Sequence, residues 1–276
     1  MLKQNLHTHS IYCDGKDTPA ETAETAAAVG FSVLGFSGHG TAFCDTASMS
    51  EKNTQLYISE VRRLKEEYRG RMEIFLGVEE DIIQRIPDRS PYDFVIGSCH
   101  FIRKNGQIWP LDYSREVFVQ ILEAFDNDFI MLAEAYYSSV RSMKDFAEID
   151  FIGHLDLLTK YNEDESFVRF DDPAYVRCAC DTIDALQNIP FEVNTGAIAR
   201  GYRRTPYPYA NLLKYMQEKG VRILLNSDCH DRTKLECAFP ETLSLIRKCG
   251  FRSMLKMTDH GFEEADLGEF LDAYNL

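Results

Sequence analysis

The histidines of this 276-residue chain are placed for metal chemistry. His7 and His9 stand one residue apart in HTHS, and Asp228 and His230 do the same in SDCH. Residues i and i+2 of an extended segment project from one face. Each pair can therefore grip one ion while Thr8 and Cys229 turn away. His39 in GHG, Glu79 in GVEED, His100 in GSCH and His154 in GHLD extend the set. Imidazole and carboxylate without thiolate suit Zn, Mn or Fe and do not choose among them. Asp14 in CDGKD is preferred as a further ligand over Asp17, which reads as a helix cap before TPAET. Glu192 in FEVNT is either the partner of a ligand or an interior carboxylate. Glu80 and Asp81 read as ordinary acids opening a helix, where the dipole favours them. His260 stands apart and reads as surface.

The elements that must position these residues are legible as apolar runs: FSVLGFS, MEIFLGVE, YDFVIGSCH, IDFIGHLD, IPFEVNTG and VRILLNSDCH. Their apolar character is continuous rather than alternating, as in parallel strands buried on both faces. Helix-like stretches lie between them, including TPAETAETAAAVG and YANLLKYMQEKG, whose closing Gly30 and Gly220 are the expected stop residues. Alternating strands and helices imply βαβ units in an α/β fold. About seven strands suit a closed barrel. His9, His39, Glu79, His100, His154, Glu192 and Asp228 each lie at or just beyond the carboxyl end of a run, and in a parallel barrel all those ends meet on one face, where barrel enzymes build their sites. A single histidine after a strand is usually a hydrogen-bonded structural residue. With His7 and His230 beside these four, six of the seven histidines are so placed, which argues against that reading here.

Composition sets the bounds. No Pro/Gly/Ser-rich linker divides the chain, so residues 1–276 read as a single domain. No signal peptide and no long apolar span is present, which points to a soluble, cytoplasmic protein. Eight cysteines form no CxxC pair and read as reduced thiols. A formal charge of −14 repels nucleic acid. The one unbalanced basic stretch is ARGYRRT, with Arg200, Arg203 and Arg204.

HTHS, GHG with His39, GVEED, GSCHFI, GHLD, EVNTGAIAR and NSDCH, in this order, resemble the PHP (polymerase and histidinol phosphatase) family of metal-dependent phosphoesterases over most of the chain. GSCHFI and YPYANLLKYMQEKG resemble its histidinol-phosphatase branch. The resemblance implies a distorted TIM-like (β/α)7 barrel with two or three divalent metal ions. It carries over one ion held by His7, His9, Glu79 and Asp228, a second that Glu79 bridges to His100 and His154, and a third held by Asp14, His39 and His230. Asp14 stands where some relatives carry a histidine.

Ions ~3.5–4 Å apart can bridge a water, lower its pKa and stabilise both oxygens of an in-line displacement. A small phosphate monoester fits such a site, most specifically L-histidinol phosphate, attacked by a metal-bridging hydroxide. Glu79, Asp228 and Arg200 are the candidate catalytic residues. Arg200 is the first candidate for an arginine fork on phosphate, with Arg203 or Arg204 as alternatives. The alternatives are another phosphorylated substrate, such as a nucleotide or nucleic-acid end, and a metal-dependent amidohydrolase. No Cys-x5-Arg loop, DxDxT or P-loop supports other phosphatase chemistries. A non-catalytic metal scaffold predicts lost ligands, whereas all nine candidates are present.

Overall fold

The computed structural model describes residues 2–42, 44–146 and 148–276. In chain order the elements are β1 (Gln4–Asn5), α1 (Pro19–Ala28), β2 (Val33–Phe36), α2 (Glu51–Glu67), β3 (Glu73–Asp81), β4 (Phe94–Ser98), β5 (Phe101–Lys104), β6 (Gln107–Pro110), α3 (Arg115–Ala124) and α4 (Phe129–Arg141). They continue as β7 (Phe151–Ile152), α5 (Pro173–Leu186), β8 (Phe191–Asn194), α6 (Gly196–Ala199), α7 (Ala210–Glu218), β9 (Ile223–Asn226), α8 (Phe239–Lys248), β10 (Ser253–Thr258), β11 (Gly261–Asp266) and α9 (Leu267–Asp272).

Seven strands pair in parallel in the order β1-β2-β3-β4-β7-β8-β9. Just past the ends of β1 and β9, the His9 N–H donates to the Cys229 carbonyl at 2.8 Å and the Cys229 N–H to the His7 carbonyl at 3.0 Å. This bridge brings the two edges together at the carboxyl-end face and gives the distorted (β/α)7 barrel. The short strands β1 and β7 and an inserted hairpin distinguish it from a regular eight-strand barrel.

Local chemistry starts the helices. Thr18 and Glu21 form a reciprocal capping box with Pro19 in the first turn of α1. Helix α2 turns Tyr57, Ile58, Val61 and Leu64 inward, and the Tyr57 hydroxyl donates to the Gly77 carbonyl of β3 at 2.8 Å. Gly77 must lack a side chain, because a Cβ there would fall 2.2 Å from Phe94 Cζ. Asn105 and Gly106, both at positive φ, turn the antiparallel hairpin β5–β6, which interrupts the barrel order between β4 and β7. A second hairpin, β10–β11, is tied to β1 by the Gln4 amide, which donates to the Leu255 carbonyl and accepts from the Met257 N–H. Among the described residues no helix is long and apolar enough to cross a membrane.

Candidate metal centre and active site

Glu79 lies near the end of β3, buried, with its two carboxylate oxygens facing different histidines. Oε2 lies 3.2 Å from His7 Nε2, 3.5 Å from His9 Nε2 and 3.1 Å from His39 Nδ1. Oε1 lies 2.9 Å from His154 Nε2 and 3.4 Å from His100 Nε2, and accepts from the Ser98 hydroxyl at 2.6 Å. Asp228 closes the other side, with Oδ1 3.2 Å from His9 Nε2 and 3.6 Å from His7 Nε2. At the rim, Asp14 Oδ2 lies 3.2 Å from His230 Nε2, and Asp14 Oδ1 lies 3.5 Å from His9 Nδ1 and 3.7 Å from His39 Nε2. All nine sequence candidates thus form one continuous cluster. Its donor atoms converge in four overlapping groups: His9, Asp14, His39 and His230; His7, His9 and Glu79; His7, His154 and Asp228; and His39, Glu79 and His100.

A layer of carboxylates behind the cluster orients the imidazoles. Glu192 Oε1 lies 2.7 Å from His7 Nδ1, which leaves Nε2 facing the cluster, and Glu192 Oε2 accepts the His154 N–H. Of the two readings open for Glu192, the structure gives the partner of a candidate ligand. Asp81 does the same for His100, lying 3.1 Å from Nδ1 and accepting its backbone N–H. The expectation that Glu80 and Asp81 open a helix is therefore corrected. Strand β3 runs on through Asp81 because residues 79–81 pair with β4. Asp81 shares the face of Glu79, and Glu80 turns to the other face and accepts the Ile86 N–H. Asp17 accepts the Arg232 N–H and stays outside the cluster, and His260 is exposed on the β10–β11 turn. Cys229 is buried and donates its thiol to the Asp231 carbonyl.

The cluster's electrostatics suit a cation. Burial, reinforced by His230 and His39, holds His9 down to about 3, so it is a neutral imidazole. Burial opposes ionisation of Glu79, but His7, His100 and His39 overcome it and hold the carboxyl well below its ordinary value. Asp228 is likewise held ionised against burial, by Arg200 and His7. His100 is raised to about 10, because Glu79 and Asp81 outweigh its burial. Among the described residues, His7 Nε2, His9 Nε2, Glu79 Oε2 and His154 Nδ1 are buried with no hydrogen-bond partner. Polar atoms so converged and unpartnered are costly unless a cation satisfies them. The nitrogen and oxygen donors fit divalent ions.

Two backbone features hold Asp228 in place. It adopts φ 48°, an uncommon conformation for a residue with a side chain. Opposite it, a Cβ on Gly196 would fall 2.7 Å from Asp228 Oδ2 and 2.9 Å from Arg200 Nη2, so only glycine allows this approach.

The cluster opens into a cavity of about 590 Å³, whose wall includes Arg200, Asp112, Lys160 and the hairpin residues Phe101 and Ile108. Of the three candidate arginines only Arg200 borders it. Its guanidinium donates to Asp228 Oδ2 at 2.8 Å. Arg203 is corrected: it is buried, donates to Thr159 Oγ1 at 2.7 Å and lies 3.7 Å from Asp156 Oδ2. Arg204 is corrected too, being exposed and lining a separate groove beside Tyr202. The sequence reading gave Asp81 to a helix start and did not single out Ser98, Asp112 or Lys160. The i, i+2 relation to Glu79 was an available signal for Asp81.

Residues 5–196 match the PHP domain family. This chain belongs to the PHP family. Among its PHP relatives, "Probable histidinol-phosphatase" of Deinococcus radiodurans is 28% identical over 262 residues, covering 90% of this chain and 94% of that one. "Histidinol-phosphatase" of Bacillus subtilis is 25% identical over 252 residues, covering 83% and 94%. The crystal structure of histidinol phosphate phosphatase from Lactococcus lactis, complexed with Zn, L-histidinol and phosphate, superposes with a TM-score of 0.71 at 20% identity, covering 95% of this chain and 98% of that one.

Proposed function

We propose that this PHP protein hydrolyses L-histidinol phosphate to L-histidinol and inorganic phosphate, with residues 1–276 acting as one catalytic domain in the cytoplasm. The observation that carries the reading is Glu79, whose two oxygens face two sets of imidazoles, of which His39 and His100 line a cavity bordered by an arginine. The names of the curated relatives and the L-histidinol and phosphate bound in the Lactococcus structure support the choice of ester. Eight unpaired cysteines support a reducing compartment.

His7, His9, Glu79 and Asp228 would hold one divalent ion, with Glu79 shared with a second at His100 and His154. Asp14, His39 and His230 would hold a third. Zn, Mn and Fe all suit these donors, and Zn is bound in the Lactococcus structure. Bound ions supply Lewis acidity to phosphate oxygens and lower the pKa of water towards neutrality. The chain's own residues do the rest. Glu192 and Asp81 fix the ring orientations of His7 and His100, and Ser98 fixes Glu79. Arg200 keeps its charge beside the cavity and presents donors to phosphate oxygens. The hairpin wall keeps one side of the cavity apolar, and the net charge of −14 disfavours nucleic-acid substrates.

The test is a steady-state comparison of protein loaded with Zn²⁺ or Mn²⁺. L-Histidinol phosphate is expected to exceed an aryl phosphate in kcat/KM, because polar groups shaped for one alcohol penalise analogues that leave them unpaired. Equal or better turnover of unrelated phosphomonoesters would overturn the histidinol assignment. Arg200→Ala is expected to lower kcat/KM by roughly two to three orders of magnitude, as loss of one preorganised donor does.

A further inference from the structure

One carboxylate in the cavity has no part in the metal cluster. Asp112, two residues beyond β6, lines the cavity with its side chain 30% exposed and belongs to none of the converging donor groups. Its backbone carbonyl is held by two donors, Lys160 Nζ at 2.7 Å and the Tyr161 hydroxyl at 2.8 Å. Its Oδ2 takes a longer contact of 3.3 Å from the same Lys160, and its Oδ1 has no hydrogen-bond partner among the described residues. Burial opposes its ionisation, yet Lys160, His100 and Arg200 hold it ionised.

A purely structural role, anchoring Lys160, explains little of this. The lysine's shorter bond goes to the carbonyl, which any residue at 112 would supply, and its ammonium also sits 4.7 Å over the Tyr202 ring. A carboxylate in a cavity that must admit a phosphate dianion costs affinity by like-charge repulsion unless the ligand carries a positive charge elsewhere. One oxygen left open and an anchored backbone are what a preorganised acceptor for such a charge needs.

We propose that Asp112 is a specificity residue, accepting a hydrogen bond from the protonated amine next to the phosphorylated carbon of the substrate. This rests on the aminoalkyl phosphate reading above. Of the two basic groups of histidinol phosphate the aliphatic amine is the one fully charged at neutral pH, since an imidazole has an ordinary pKa near ~6.5. The apolar wall of Phe101 and Ile108 flanks the same space and suits the ring.

The experiment compares L-histidinol phosphate with its des-amino analogue, 3-(imidazol-4-yl)propyl phosphate, and with 2-aminopropyl phosphate, which lacks the imidazole. The kcat/KM ratio of L-histidinol phosphate to the des-amino analogue should fall in Asp112→Asn by about ten- to a hundredfold, the size of a hydrogen bond to a charged group. A ratio that stays constant while both substrates slow together would overturn the proposal and leave Asp112 an anchor for Lys160. A change confined to the comparison with 2-aminopropyl phosphate would overturn it in favour of imidazole recognition. Calorimetric binding of L-histidinol and of 3-(imidazol-4-yl)propan-1-ol to the Zn²⁺-loaded wild type and variant measures the same preference without turnover. Loss of amine preference in the variant supports Asp112 there, and its persistence overturns it. Failure of histidinol phosphate hydrolysis itself would sink the reaction assigned above and is read separately.

Discussion

Glu79, near the carboxyl end of β3, and Glu192, the second residue of β8, are both glutamates of barrel strands, both buried, and both in contact with His7. Their surroundings differ. Glu192 is satisfied on every side: Oε1 meets His7 Nδ1 and accepts from Asn226 Nδ2, and Oε2 accepts from the His154 N–H and Asn194 Nδ2. Among the described residues, Glu79 accepts on Oε1 only, while Oε2 faces three imidazoles without a hydrogen bond. Burial therefore does not distinguish a ligand from its support. The completeness of the hydrogen bonding does, since a buried carboxylate with every lone pair engaged holds its neighbours still, and one with an idle oxygen is open to a cation.

The sharpest test of that contrast is removal of the ions. Stripping with a chelator should abolish hydrolysis, and adding Zn²⁺ or Mn²⁺ should restore it; activity that persists with fewer than two ions by elemental analysis would break the Glu79 half of the comparison. Glu79→Gln should come next, lowering kcat on the order of a thousandfold with circular dichroism unchanged, because the amide keeps the shape and loses the charge. Glu192→Gln should cost less, about ten- to a hundredfold in metal affinity or kcat/KM, the usual effect of a supporting partner. Equal losses in these two variants would erase the distinction drawn here. Asp14→Asn should cost least of the three, under about tenfold, since Asp14 serves one rim group and is 34% exposed.

The smallest effect concerns pH. In the ion-free protein the pKa of His100 is raised from 6.5 to about 10 by Glu79 and Asp81 against burial. A group whose pKa is raised on folding contributes stability that is complete below its unfolded value and is lost as pH rises through the folded one. Thermal scans of stripped protein should therefore show Tm falling by a few degrees between pH 7 and 10. The loaded protein should show a smaller fall, because the ion takes the place of the proton.

Much of this was legible in the chain. The apolar runs predicted the barrel strands and the i, i+2 pairs predicted which side chains meet, because both follow from the geometry of an extended backbone. Asp81 escaped because the continuation of β3 past Glu79 depends on pairing with β4, a contact that a local helix-dipole argument does not contain. ARGYRRT has no periodicity to say which arginine faces the cavity. Arg203 was taken by Asp156 and Thr159, remote residues that the fold brings beneath it. The β5–β6 hairpin carried a readable Asn105-Gly106 signal, and it matters because Asp112 and the apolar cavity wall follow from it.

The backbone bridge between His7, His9 and Cys229 makes the seam of the barrel and the floor of the site the same place. His7, His9, Asp14 and His39 follow the first two strands, whereas Asp228 and His230 come just after β9, the last strand of the barrel. During synthesis on a ribosome, the early donors are made long before the late ones, and no complete site exists until β9 and the residues after it have emerged. An ion captured there would act as a clasp between the two ends of the barrel, so that metal acquisition and the final closing of the fold become a single event.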